Sequence, residues 1–589
     1  MLQEVSQASL RCYEGRDGRI LISWYARPLG NLASTLVSTY PVNLDVASIQ
    51  SFEQAKEWVD TCDNHHPECT RWMSTAMPLR LIDVMPTSTD RVSLVETSGQ
   101  FLRFAALSYC WGKKAFLTTR TTNLSQHLQG IFVPDLPQTI QDAVHCTRRL
   151  GLRYVWVDVL CIVQDDETEK HKEISRMKDF YRSAYLTISA SSAGACEDGF
   201  LQRRQSIESC FEINLTLPSG MGGRIQLVKQ QFQPHPRMVL CPGAEPVSYR
   251  AWTTQESLLS SRVLIYGRLQ LFWLCRRMFA ADGGNMSWQE FKNHAAWLKL
   301  GLGDRGAPLS KSELSSPFDA EFDRYHGEWA SLISVYSGRS LSYQHDKLPA
   351  LSAVASLFQD QMHDEYVCGL WRRSLLYDMT WAPARHWSAQ VADAKNDVGP
   401  SWSWISYPDL VRYVGRWNDK EEIAKVISVA ISLIHPFAPL GQVKHAEVRL
   451  EGPCVSLQLQ KGVTSDWLLH TTREEKHQCT LAAIYFPDYS QETDNLIHSD
   501  LYCVVLHGPK TDGHSNIGNV SGLVLTTAGS DAYRRVGRFE SYSHSWPNRT
   551  LLMRDGCICR TGQTEALQLR DWEVKHSLLT QPRRSISIV

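Results

Sequence analysis

The sequence predicts an α/β protein: a parallel sheet core with helical flanks and a β-rich C-terminal region. Three observations carry this. Between Phe101 and Ser191, strand-like and helix-like stretches alternate, the signature of a doubly wound layer with right-handed crossovers. The run "RYVWVDVLCIV" is too apolar for a half-exposed strand, so it reads as parallel and covered on both faces. From about residue 440 the chain is strand-like with Gly-rich breaks.

Each element follows from its pattern. "FAALSYCW" reads as the first strand. "TIQDAVHCTRRLG" is a helix with Ile140, Ala143, Val144, Thr147 and Leu150 on one side, stopped by Gly151. Residues 153–163 form the second strand, expected to be central. "ETEKHKEISRMKDFYRSA" is the second helix, its apolar stripe made by Ile174, Met177 and Tyr181. "YLTISAS" is the third strand. "RVLIYGRLQLFWLC" reads as a hairpin turning near Gly267 and Arg268. Residues 1–100 look like an irregular lead-in with one helix, "FEQAKEWVDTC". Residues from about 300 to 317 read as a linker, and Phe318 to Phe358 as helical.

Bulk properties narrow the function classes. The chain has 589 residues, enough for several cores, with 43% hydrophobic and 21% charged residues. With 61 basic against 62 acidic residues, a broad nucleic-acid or anionic-membrane surface is not expected. "VISVAISLI" is too short to span a bilayer, and the N-terminal stretch has no apolar signal core. The 16 scattered cysteines then read as reduced thiols of a cytoplasmic protein. The 19 tryptophans predict cores rich in large rings.

In an open parallel sheet, ligands bind beyond the carboxyl ends of the strands. Cys110, Trp111 and Gly112 follow the first strand, and Gln164, Asp165 and Asp166 follow the second. Asp158 falls within the second strand and needs a partner, because an unpaired buried carboxylate is costly. An arginine or a backbone donor would serve, and a polar network with Arg250, Gln255 or Glu256 is the stronger reading. Cys62, His65 or His66, and Cys69 have metal-like spacing, but no fourth ligand is evident, so no metal is assigned. Cys110 and Cys161 read as core residues. "SGMGG" at 219–223 reads as a turn, and Trp402 and Trp404 as neighbours on one strand face. No P-loop, His-Glu-x-x-His or Gly-x-Ser-x-Gly motif occurs.

Four blocks, "ALSYCWG" (Ala106 to Gly112), "LPQTIQDAVHCTRRLGLRYVWVDVLCIVQDD" (Leu136 to Asp166), "EISRMKDFYRSAYLTISASSAGACEDGF" (Glu173 to Phe200) and "RAWTTQESLLSSRVLIY" (Arg250 to Tyr266), resemble the fungal heterokaryon-incompatibility (HET) domain in order and spacing. The "CEDGFL" variant departs slightly from the commoner pattern. Flanking segments extend the resemblance over most of residues 58–407. It implies a lead-in at 1–100, a HET core at 101–280, a mainly helical associated region at 281–410 and a β-rich region at 411–589.

The resemblance further implies non-self recognition with cell death in filamentous fungi, and a core distantly similar to Toll-receptor (TIR) domains, hence TIR-like or flavodoxin-like. Some TIR domains cleave NAD with a helix-borne glutamate. By that analogy Glu173 is the catalytic candidate, with Trp111, Gln164, Asp165 and Asp158 binding substrate. NAD would be a substrate, and no cofactor is called for. The competing readings are a non-enzymatic scaffold that self-associates through the core and meets a protein partner of an incompatible strain, and an accessory role in secondary metabolism.

Overall fold

The computed structural model describes residues 11–12, 22–29, 42–85, 90–204, 210–216, 222–231, 245–268, 270–283, 317–384, 398–413, 420–436, 438–461, 467–470, 483–488, 496, 499–509, 520–529, 532–541, 578–579 and 581–589. The expected linker at about 300–317 lies outside them except for Pro317, which opens a helix. The chain divides into two units, Met1–Leu309 and Ser310–Val589.

In the first unit, helices α1 (Ile49–His65) and α2 (Pro67–Trp72) precede strands β1 (Arg80–Asp83), β2 (Arg91–Glu96) and β3 (Phe104–Ser108). Then come β4 (Ile131–Phe132), α3 (Gln138–Arg149), β5 (Tyr154–Trp156), a one-turn helix α4 (Asp158–Cys161) and α5 (Glu167–Ser183). β6 (Leu186–Ser189), α6 (Thr253–Leu259), β7 (Arg262–Tyr266), β8 (Leu271–Cys275) and β9 (Phe279–Ala281) complete the unit's main layer. The helices start and stop where side-chain chemistry says they should. Asp166 caps α5 by accepting from the Glu169 amide at 3.0 Å, and Gly151, at φ +78°, follows the basic last turn of α3.

These strands form one nine-stranded sheet in the order β9-β8-β7-β6-β3-β5-β1-β2-β4. β5, β3, β6 and β7 run parallel, and the remaining pairings are antiparallel. All five residues of β3 are buried, so both of its faces are covered. On β7, Arg262 meets Cys62 of α1 and Tyr266 meets Cys146 of α3. Thr187 of β6, in register with Val263 on the opposite face, meets Ser260 just after α6. Helices therefore flank both faces of the parallel core. The expected hairpin is present, with Tyr266 paired to Leu271.

Three expectations change. The sheet is mixed, because antiparallel strands extend the parallel core on both sides. Residues 153–163 do not form one strand: pairing ends at Trp156, and Asp158 starts a helical turn. The reason is local competition, since the Asp158 carboxylate accepts from the next amide, Val159, at 2.8 Å. The middle strand is consequently β3, although β5 is interior, shielded by β1. Finally, the lead-in is not irregular throughout, since Arg80–Asp83 and Arg91–Glu96 are strands. β1 and β2 are too short and too charged at their ends to stand out as a pattern, yet the sheet edge at β5 recruits them.

A separate antiparallel sheet of the first unit is ordered Arg11–Cys12, Ile22–Leu29, Gly222–Gln231, Cys210–Thr216. Gly222 and Gly223 thus open a strand, and 219–221 lie outside the described residues. In the second unit, α7 (Pro317–Tyr336) and α8 (Pro349–Met362) give way to a β-rich region from Lys420 onward. Trp402 and Trp404 are fully buried, but a short 3-10 turn, not a strand, carries Trp404. Its indole donates to the Gly369 carbonyl at 3.0 Å. Among the described residues, no helix is long and apolar enough to cross a membrane.

Candidate functional site

The carboxyl ends of β3 and β5 converge on Asp158. Ending β5 early turns this residue out of the ladder, so its carboxylate faces the loop that follows β3. The Tyr109 hydroxyl donates to Oδ1 at 3.0 Å, and the Trp111 indole Nε1 donates to Oδ2 at 3.0 Å. Burial pushes the Asp158 carboxyl above its usual range, while nearby Arg250 and the donated hydrogen bonds pull the other way. Arg250 Nη1 itself donates to the Tyr109 carbonyl.

Behind this layer, Glu256 of α6 is 6% exposed and is pushed up to about 7 by burial, against the pull of Arg250. Nearby Ser108 and Tyr181 also pull this carboxyl down. Two carboxyls and one guanidinium thus share a site at the rim of the parallel core.

Trp111 is the outer member, 37% exposed, with Phe116 edge-on at 6.4 Å. Its position is set by Gly112, whose φ of +82° suits glycine and where a Cβ would come within 2.7 Å of Ala195 Cβ. The 194–198 loop is in turn closed by Asp198, which accepts from the amides of Gly194 and Ala195 at 2.9 and 3.0 Å. An indole face is left available beside a carboxylate, a combination suited to a planar, hydroxyl-bearing ligand.

The other candidates are placed differently. Gln164 lies under the same turn, its side chain donating to the carbonyls of Asp158 and Ile162 at 3.2 and 3.0 Å. Asp165 is exposed and accepts from the amide and hydroxyl of Thr121, and the amide bond holds its carboxyl below the usual range. Glu173 is 2% exposed. One oxygen accepts from the Leu79 amide at 3.2 Å and the other from Arg176 Nη1 at 3.2 Å. It thus ties α5 to the segment entering β1 and shares neither partner with Asp158. Cys110 and Cys161 are buried, and burial raises both thiols, that of Cys161 to about 12. Both therefore stay protonated at neutral pH, as packing residues would.

Tyr109, Arg250 and Glu256 do the most to complete the Asp158 site. Arg250 and Glu256 are partners expected from "RAWTTQE", whereas no spacing in the sequence signals Tyr109. Away from the rim, Cys62, His66, Cys69 and Cys275 bring their donor atoms within 4.8 Å of one another.

No curated protein and no solved structure matches the chain. Residues 104–256 match the family model described as Heterokaryon incompatibility protein (HET), an interval running from the first residue of β3 to Glu256 of the rim cluster. This segment of the chain is similar to the heterokaryon incompatibility domain.

Proposed function

We propose that the chain is a cytoplasmic fungal effector of heterokaryon incompatibility, and that its working site is the rim formed by Trp111, Tyr109, Asp158, Arg250 and Glu256. The observation that carries this is the exposed Trp111 indole anchored on Asp158 inside the matched segment. The ligand class that fits is a nucleotide such as NAD, with a base or nicotinamide ring on the indole and a ribose hydroxyl at the carboxylate.

If the core is TIR-like in chemistry, water replaces nicotinamide at the anomeric carbon, giving ADP-ribose, nicotinamide and a proton. Nicotinamide departs neutral from a cationic pyridinium, so its departure needs no general acid. A carboxylate close to the ribose stabilises the oxocarbenium charge that develops. The arrangement favours Asp158 over Glu173 for that role, because Asp158 is only half-buried and adjoins the exposed Trp111, whereas Glu173 is buried and ties α5 to Leu79.

The test is inducible expression in a filamentous fungus, following growth and total NAD for the intact chain, Asp158→Asn, Trp111→Ala and Glu173→Gln. Intact protein is expected to arrest growth and deplete NAD, and the first two variants to abolish both effects. Folded Glu173→Gln is expected to retain them. Growth arrest without any loss of NAD would remove the enzymatic reading and leave the self-associating scaffold.

A further inference from the structure

The loop between α1 and α2 lies against the end of β8. Cys62 is in the last turn of α1, His66 sits between the two helices, Cys69 is on α2, and Cys275 is the last residue of β8. The three cysteines are buried and all are free thiols. No pair of donor atoms is more than 4.8 Å apart, and Cys275 Sγ stands 3.5 Å from His66 Nδ1. A tetrahedral zinc with Zn–S near 2.3 Å and Zn–N near 2.0 Å has S···S edges of about 3.8 Å and S···N edges of about 3.5 Å. The His66–Cys275 edge already has that length, and the others need contract by no more than about 1.3 Å.

The surroundings are those of thiolates. Cys275 Sγ accepts from the amides of Arg277 and Met278 at 3.4 and 3.1 Å, and Cys62 Sγ accepts from Arg262 Nε at 3.2 Å. Arg262 is 1% exposed and is also held by Asp63 and the Tyr185 carbonyl. Zn²⁺ with three thiolates and one neutral imidazole carries one net negative charge, which this buried guanidinium offsets. Three thiols packed against an arginine and backbone donors have no other evident use in a core. Four protein ligands also leave no open coordination position, as in structural sites.

We propose that Cys62, His66, Cys69 and Cys275 bind one zinc ion, a closed structural site that fastens the α1–α2 pair to the end of β8. Its donors lie outside the rim around Asp158, and its existence does not depend on the function assigned to that rim.

The experiment is metal analysis of the full chain purified without chelator, together with the absorption spectrum after exchange with Co²⁺. One equivalent of zinc is expected, with the intense visible bands of tetrahedral cobalt bound to thiolate. Cys275→Ser is expected to lose the bound metal, whereas His66→Cys, which keeps four soft donors, is expected to retain it. Stripping the ion with a strong chelator should lower the unfolding midpoint by roughly 10 °C or more. Should Cys275→Ser fail to fold, the intact chain and His66→Cys still decide the matter. Purified chain with under a tenth of an equivalent of metal and no cobalt–thiolate bands overturns the proposal. So does a disulfide joining two of the three cysteines in fresh reducing extracts.

Discussion

Trp111 and Asp158 follow different strands of the sheet, yet the indole Nε1 donates to the carboxylate Oδ2 at 3.0 Å. The same carboxylate receives the Tyr109 hydroxyl, so two donors from the β3 loop converge on one acceptor from the β5 turn. Asparagine at this position offers one acceptor oxygen and places an amide N–H against a donor. Asp158→Asn is therefore expected to cost about 1–3 kcal/mol of stability. A double-mutant cycle with Trp111→Phe, read by urea denaturation, should show a coupling of roughly 1 kcal/mol. Strict additivity of the two substitutions would contradict the pairing.

Glu173 has a different expected signature. Glu173→Ala leaves the Leu79 amide without its acceptor and removes the Arg176 ion pair, although Arg176 keeps the Met77 carbonyl, and a loss of about 1–3 kcal/mol is expected. Glu173→Gln keeps an oxygen for Leu79 and should lose less. Equal losses in the two variants, measured by equilibrium denaturation, would show that the Leu79 bond contributes nothing.

Stability should depend on pH through two buried groups with opposite signs. Glu256 titrates at about 7 when folded but near the ordinary 4.5 when unfolded, because burial disfavours its charge. The folded state therefore binds more protons between pH 4.5 and 7, and stability falls as pH rises through that window, by up to about 3 kcal/mol from this group. Lys347, 3% exposed, is lowered by burial from 10.5 to about 7, so its contribution makes stability rise between pH 7 and 10.5. Glu256→Gln should flatten the acid limb and Lys347→Met the alkaline limb. A pH profile of denaturation midpoints unchanged by either substitution defeats the assignment.

Arg535 of the second unit, fully buried, pairs with Asp488 through two bonds of 2.9 and 2.8 Å. It also donates to the carbonyls of Met379 and Trp381 and stacks over the Trp381 ring at 3.7 Å. Arg535→Met strands a buried carboxylate and should cost about 3–5 kcal/mol. Adding Asp488→Asn removes the stranded charge and should recover part of the loss, as measured in the same denaturation assay. A double variant no more stable than the single one would assign the cost to the lost stacking and carbonyl bonds.

Taken alone, the sequence determined what local interactions determine. Helical periodicity, helix stops and an apolar run flanked by polar exits placed α3, α5 and the parallel strands. The apolar alternation around Gly267 placed the β7–β8 hairpin. These signals lie within a turn or two of chain, where neighbouring side chains and backbone compete directly. The tertiary structure alone decided that short charged β1 and β2 complete the sheet, and that Glu173 bonds to Leu79 instead of joining the rim. It also decided that Cys275 stands beside Cys62, His66 and Cys69, and that Tyr109 joins Arg250 and Glu256 around Asp158. Each of these depends on which distant segment reaches a given buried polar group, and sheet order sets that choice. Residue spacing along the chain does not encode it.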